Sequence, residues 1–349
     1  MRTKISVLGH FGHGVDLLNG QTVKTKIVTE ELENQLGADT VLKYDTHGGI
    51  KTLLKAPFQV FGALKKSADV VIFPAHNGLR VYAPLLYFQS KFFKNRKLHY
   101  VVIGGWLPEF LSTRKKLANI LKKFDGIYVE TNTMKKNLEK QGFSNVFVMP
   151  NCKKLTVLSE TELIYQTSAP YKLCTFSRVM KEKGIETAVD AVKSVNDKLG
   201  YTAYLLDIYG QVDTTQTDWF DGLVKNFPEY VRYRGVIPFD KSVSTLKEYF
   251  ALLFPTYYEG EGFAGTLIDA YSAGVPVIAS DWKYNAEFVN ADVGFLFPAE
   301  DIKAFSDILQ SVAKNPEMML NKKSFCLKET EKYKIEDAIQ VLIKQLSDN

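Results

Sequence analysis

Cysteine is scarce in this 349-residue chain, and Cys152, Cys174 and Cys326 lie far apart, with no Cys-x-x-Cys pair and no histidines at metal-ligand spacing around them. That excludes a disulfide scaffold and a zinc module, and leaves free thiols in a reducing compartment as the economical reading. Long apolar runs are missing too. No segment approaches the roughly 18 consecutive apolar residues of a spanning helix, and residues 1–4 lead straight into a strand-like stretch without a signal-peptide core or cleavage site. The expectation is a cytoplasmic chain that meets a membrane, if at all, peripherally on its inner face. Acidic residues are sparse in one half only. Residues 1–155 hold 24 Lys/Arg against 11 Asp/Glu and the remainder 20 against 28, so the halves carry +13 and −8. Such asymmetry suits different partners for the two halves, one of them anionic. An anionic membrane surface fits; nucleic acid does not, because the basic half lacks aromatic-basic interleaving on a recognisable module.

What is present is a 46% hydrophobic chain, long enough for two well-buried cores. Short β-rich apolar runs alternate with helix-period segments, the pattern of parallel βαβ units. Strands are expected at residues 5–8, 40–43, 70–73, 100–103, 126–129 and 146–148, then at 173–176, 203–208, 231–233, 251–254, 275–279 and 294–297. Residues 23–36 show apolar positions Val23, Ile27, Val28, Leu32 and Leu36 at helical spacing. Pro150-Asn151 and the polar residues 152–168 break the rhythm. Two Rossmann-like, doubly wound α/β domains are therefore expected at 1–152 and 170–330, followed by a segment at 331–349 whose helix, 335–346, is free to pack on either half.

Open α/β sheets bind ligands beyond the C-terminal ends of their strands, so the loops there carry the chemistry. The most specific is Pro255-Thr-Tyr-Tyr-Glu259-Gly-Glu261-Gly-Phe263-Ala-Gly265-Thr266-Leu-Ile-Asp269, followed by Gly274-Val-Pro276. A buried strand, a Gly-rich turn and a helix N-terminus form a seat for an anionic phosphate. Asp269 follows Glu261 by eight positions, about 80° past two full turns, which puts both carboxylates near one face at different depths. After the first strand of the second half comes Ser177-Arg178-Val-Met-Lys-Glu-Lys183-Gly184.

These residues resemble the retaining glycosyltransferases of family four, enzymes of the GT-B fold, in which two Rossmann-like domains face a cleft. Glu261 to Asp269 resembles the family's EX7E signature and Arg178 to Lys183 its Arg-x4-Lys grip on the donor diphosphate. Pro150-Asn151 sits where the interdomain link has an Asn, and His10-Phe-Gly12-His13-Gly14 through Asn19-Gly20-Gln21-Thr22 resembles the glycine loop of the first domain. Three departures stand out: Asp269 for the commoner Glu, Gln21 where a Gly pair is usual, and Gly104-Gly105-Trp106 where many members place a His.

The resemblance implies a hexosyltransferase of the bacterial exopolysaccharide or capsule type. It would move a sugar from a nucleoside-diphosphate sugar, UDP-sugars favoured, to a glycan or isoprenoid-lipid-linked glycan. The first domain would bind the acceptor and the second the donor. Breaking the anomeric bond develops negative charge on the leaving diphosphate and positive charge on the sugar. Arg178, Lys183 and Glu261 are the expected catalytic set. Gly20, Gln21, Ile237, Gly262, Phe263, Ala264, Gly265, Thr266 and Asp269 join them in donor binding, Glu261 on sugar hydroxyls and Asp269 on the ribose diol. No Asp-x-Asp motif occurs, so no metal or other cofactor is expected. Attack on the face the leaving group departs from needs no separate protein base.

His10, His13, His76 and Trp106 are candidates for the acceptor side, Trp106 by stacking on a sugar ring or by packing in the core. Glu287 is a candidate donor contact or a helix N-terminal charge. Residues 85–97, mixing Leu86, Tyr87, Phe88, Phe92 and Phe93 with Lys91, Lys94, Arg96 and Lys97, form a helix that lies on lipid or packs on its own sheet. A catalytically silent sugar-nucleotide-binding subunit and a nucleotide-sugar epimerase of the same fold are the alternative readings.

Overall fold

The structure, a computed structural model, describes residues 4–12, 20–154 and 156–347. All twelve expected strands form, in two six-stranded parallel sheets. The first contains β1 (Ile5–Gly9), β2 (Val41–Asp45), β3 (Asp69–Ile72), β4 (Lys97–Val101), β5 (Gly126–Val129) and β6 (Val146–Val148), ordered β2-β1-β3-β4-β5-β6. The second contains β7 (Tyr171–Phe176), β8 (Tyr204–Tyr209), β9 (Val231–Gly235), β10 (Ala251–Phe254), β11 (Val277–Asp281) and β12 (Gly294–Pro298), ordered β12-β11-β10-β7-β8-β9. Every residue of β1, β3, β5 and β10 is buried, because helices cover both faces of a doubly wound sheet. The edge strand β9 instead exposes Arg232, Tyr233 and Arg234, charges that discourage pairing with another chain.

Two strand boundaries move for identifiable reasons. β4 begins at Lys97, earlier than expected, because His99 is not a solvent position: its ring lies 3.2 Å from Asp69 Oδ1 and 3.1 Å from the Tyr128 hydroxyl, fully buried. β11 begins at Val277 because Gly274, at φ 63°, and Pro276 make the turn that leads into it.

The chain divides into two compact units, Met1–Lys154 with Tyr333–Asn349, and Leu155–Lys332. In the first, Ile335, Ile339, Leu342 and Leu346 join the core of Ile5, Val7, Val28, Leu32 and Tyr128. The amide of Ser347 donates to Asp69 Oδ1 at 3.1 Å, and Lys97 Nζ to the Gln345 carbonyl at 3.0 Å. The single helix expected at 335–346 is instead two short ones, Ile335–Ala338 and Gln340–Ile343. A three-residue closure from Leu342 N to Ile339 O, 2.9 Å, tightens the turn between them.

Residues 85–97 are not one helix either. The helix His76–Ser90 ends before Lys91, and Asn95, at φ 54°, turns the chain into β4. Each sheet reverses its winding once, between β1 and β3 in the first unit and between β7 and β10 in the second. Those are the positions where loops diverge and leave room for a ligand.

Candidate active site

At the switch point of the second unit, β7 and β10 are parallel neighbours, Leu173 opposite Ala251. Their following loops are drawn together. Gly184 sits at φ 70°, and a Cβ there would lie 2.1 Å from the Pro255 carbonyl oxygen, so only glycine fits. The Tyr257 amide donates to the Glu182 carbonyl at 2.8 Å. This stitching brings together two residues 78 positions apart: Lys183 Nζ lies 2.6 Å from Glu261 Oε2. The Thr256 hydroxyl donates to the same oxygen at 2.8 Å. Both side chains of the pair are largely buried, 11% and 7% exposed, so the charges meet where water screens them little.

A second cation flanks the pair. The Lys183 ammonium lies 5.0 Å and the Arg178 guanidinium 5.8 Å from the centre of the Tyr258 ring. Arg178 is half exposed, with Asp213 Oδ2 3.5 Å away. β11 and the residue after it brace the loop: Ser280 Oγ donates to the Thr256 carbonyl at 2.5 Å, and Trp282 Nε1 to the Tyr258 carbonyl at 2.9 Å.

Glu261 leads through Gly262, Phe263 and Ala264 into the helix Gly265–Ser272. The Phe263 ring is buried and stacks on Phe288, centroids 3.7 Å apart and planes within 5°, which pins the turn to the core. Ala264 supplies no side-chain cap, and the Thr266 hydroxyl oxygen is buried without a hydrogen-bond partner among the described residues. A helix start without a side-chain cap leaves backbone amides that suit an anion. Asp269 lies farther along this helix, 2% exposed, and accepts a hydrogen bond from Ser242 Oγ at 3.1 Å. Ile237, half-buried, follows β9, and Glu287 closes the single turn Asn285–Glu287 after β11, so both occupy loops at the same end of the sheet.

The first unit gathers polar residues at the corresponding end of its sheet. Gly20 opens the helix Gly20–Leu36. Gln21, standing where a glycine is usual, uses its side chain: Nε2 donates to the Phe73 carbonyl beyond β3 at 3.3 Å. His10 Nδ1 is 2.7 Å from Thr22 Oγ1, and His10 Nε2 is 2.8 Å from His47 Nδ1. Asp45 Oδ1 accepts the amides of Phe11 and His47, at 3.0 and 2.9 Å, which fixes both loops. Burial and the neighbouring His47 push the His10 pKa below its usual 6.5. His13 lies outside the described residues.

His76 is exposed at the start of its helix and stacks on Trp106, centroids 3.8 Å apart; burial and Arg114 lower its pKa. Trp106 is buried, donates from Nε1 to the Ile103 carbonyl at 2.9 Å and meets the edge of Phe110. Of the two expectations for Trp106, packing describes its position, and His76 is the ring this stack presents.

Several residues of this site escaped the sequence reading. Thr256, Tyr258, Ser242 and His47 carry no spacing that marks them, and each acts by bracing a residue that was marked. The buried pair Lys24–Glu130, 2.6 Å, with Lys24 also donating to the Val102 carbonyl at 3.3 Å, joins positions 106 residues apart.

Residues 170–315, which span the switch point and its loops, match the family model of glycosyl transferases group 1. Over these residues the second unit is similar to the group 1 glycosyl transferases. Among curated relatives, the GtfA subunit of a Streptococcus agalactiae UDP-N-acetylglucosamine--peptide N-acetylglucosaminyltransferase is 28% identical over 218 residues, 60% of this chain and 41% of that protein. The amylovoran biosynthesis glycosyltransferase AmsK of Erwinia amylovora is 27% identical over 146 residues, 40% of this chain and 35% of that one. The matched region thus spans less than half the length of these relatives. Anabaena Alr3699/HepE, solved in complex with UDP and glucose, superposes with a TM-score of 0.75 at 15% identity, covering 98% of this chain and 99% of that one. With its two doubly wound sheets, the chain has the GT-B fold.

Proposed function

We propose that this chain is a retaining glycosyltransferase that takes a sugar from a nucleoside-diphosphate sugar, a UDP-sugar foremost, and passes it to a glycan or isoprenoid-lipid-linked glycan. The observation that carries the reading is the Lys183–Glu261 pair, 2.6 Å, beside Arg178 and the uncapped helix at Gly265. The cations and the helix amides of Gly265 and Thr266 hold the diphosphate and stabilise the charge that builds on it as the anomeric bond breaks. Glu261 accepts from sugar hydroxyls, with Lys183 and Thr256 fixing its carboxylate, and Asp269 holds the ribose. The acceptor oxygen bonds the anomeric carbon on the face the phosphate oxygen leaves, and the acceptor proton passes to that phosphate oxygen, so no protein base is required.

Two features of the comparisons support a UDP-sugar: the name of the streptococcal relative carries UDP-N-acetylglucosamine, and the Anabaena structure holds UDP with glucose. The named role of AmsK supports polysaccharide synthesis. Because Arg178 and Lys183 supply positive charge at the diphosphate, the reaction is proposed to proceed without a metal. No helix among the described residues is long and apolar enough to cross a membrane, so a lipid-borne acceptor would be met peripherally.

The test is a thermal-shift panel of UDP-, GDP- and dTDP-sugars, followed by donor turnover with and without EDTA. A ligand that binds only the folded state raises its stability by RT ln(1 + [L]/Kd). Stabilisation by UDP-sugars and turnover unchanged in EDTA are expected. No stabilisation by any member contradicts the reading, and turnover lost in EDTA and restored by manganese contradicts its metal independence.

A further inference from the structure

The helix Ile50–Lys66 has two apolar faces. Ala56, Val60, Ala63 and Leu64 are buried against the first sheet, as its amphipathic pattern requires. Leu54, Phe58 and Phe61, spaced i, i+4 and i+7, face outward at 73, 80 and 51% exposure. The neighbouring helix His76–Ser90 and the turn after it add Phe88 and Phe92, 54 and 84% exposed. The two elements share one surface: Phe61 meets Phe93 edge-on, centroids 5.4 Å apart, and Gln89 Nε2 donates to the Pro57 carbonyl at 3.3 Å. Single exposed apolar residues are ordinary, but a patch of large ones marks an interaction site.

The charge around the patch is of one sign. Residues 46–108 contain nine Lys/Arg and a single acid, Asp69. That acid is buried and bound to the Ser347 amide and His99. Lys55, Lys65, Lys91 and Lys94 are exposed on the same two elements, and Lys91 Nζ hangs over the rings of Tyr87 and Phe88, 4.6 and 5.3 Å from their centres. A second copy of this chain docked through the same face would set cation against cation. A sheet of anionic headgroups complements every charge present, and phenyl rings that project among lysines suit the boundary between headgroups and acyl chains.

We infer that this face docks on an anionic lipid bilayer, with Leu54, Phe58, Phe61, Phe88 and Phe92 entering the headgroup boundary and Lys55, Lys65, Lys91 and Lys94 on the phosphates. The contact begins beside the polar cluster of the first unit, since Thr52, two residues before Leu54, donates from its hydroxyl to the His47 carbonyl at 2.7 Å. In purpose, though not in evidence, the inference rests on the proposed transfer to a lipid-borne acceptor. Attachment here is apolar as well as electrostatic, so added salt weakens it without abolishing it.

The experiment is flotation of the full chain with vesicles of phosphatidylcholine alone and of phosphatidylcholine mixed with phosphatidylglycerol. Binding to the mixed vesicles alone is expected. It should fall by about tenfold in a Phe58→Ser/Phe92→Ser double variant and similarly in Lys91→Glu/Lys94→Glu, with melting temperature and UDP binding unchanged because all four side chains are exposed. Undiminished flotation of the phenylalanine variant, or no flotation of the parent with either vesicle, overturns the inference. So does a parent dimer that the phenylalanine variant converts to monomer. Vesicle binding without any nucleotide binding would instead sink the transferase reading and leave the bilayer contact standing.

Discussion

Lys183 and Glu261 come from loops after different strands, yet their side chains meet at 2.6 Å with Thr256 bonded to the same carboxylate oxygen. Each fixes the other, so the cation and the carboxylate hold one another in place. Replacing Glu261 by Gln keeps the size and removes the charge. If the carboxylate acts where charge develops, as proposed, the turnover rate should fall by about 100-fold or more, roughly 3 kcal/mol, with little change in donor KM. Steady-state kinetics at saturating acceptor read this directly; an unchanged kcat rules the assignment out.

Asp269 and Ser242 form a second linked pair, 3.1 Å apart and buried. A carboxylate that grips the ribose in ground and transition state alike contributes uniform binding, so its loss raises KM and spares kcat. Asp269→Asn should weaken nucleoside-diphosphate affinity by roughly 1 to 3 kcal/mol. Ser242→Ala should act in the same direction and less, since the hydroxyl only orients the acid. Calorimetric titration of both variants is the check, and full UDP affinity in Asp269→Asn would show that the ribose is held elsewhere.

The fold was legible because both sheets are parallel and buried, which writes each strand as a short apolar run such as residues 251–254 or 126–129. Legibility failed where a buried polar residue interrupted a run, as His99 does in β4, and where a local turn cut a helical pattern, as after Ser90 and at Ile339. In the candidate site, glycines and fixed spacing mark Arg178, Lys183, Glu261 and Asp269 in the sequence, and the structure joins Lys183 to Glu261. Thr256, Ser242 and His47 carry no such mark: each contributes one hydrogen bond across a contact that exists only in three dimensions.

The first unit should show a pH dependence traceable to His10, whose pKa lies below its usual 6.5 through burial and through His47. Between the lowered folded value and 6.5, the unfolded chain binds more protons at this position than the folded one. Stability therefore rises with pH through that window, is lost as pH falls through it, and is flat above and below it. Melting temperatures from pH 8 down to 5 should decline below about pH 6.5, and His10→Gln should flatten part of that decline. Parallel curves for parent and variant would mean that His10 does not titrate as its burial implies.

The central claim is that the loops after β7 and β10 seat a nucleoside diphosphate, and titrating UDP into the parent chain and a Lys183→Ala variant by calorimetry tests it most directly. The account predicts measurable UDP affinity in the parent and a loss of about tenfold or more in the variant, the share of a charge-assisted contact to phosphate. Equal affinities in the two proteins, or no binding of UDP, GDP or dTDP to the parent, would contradict it.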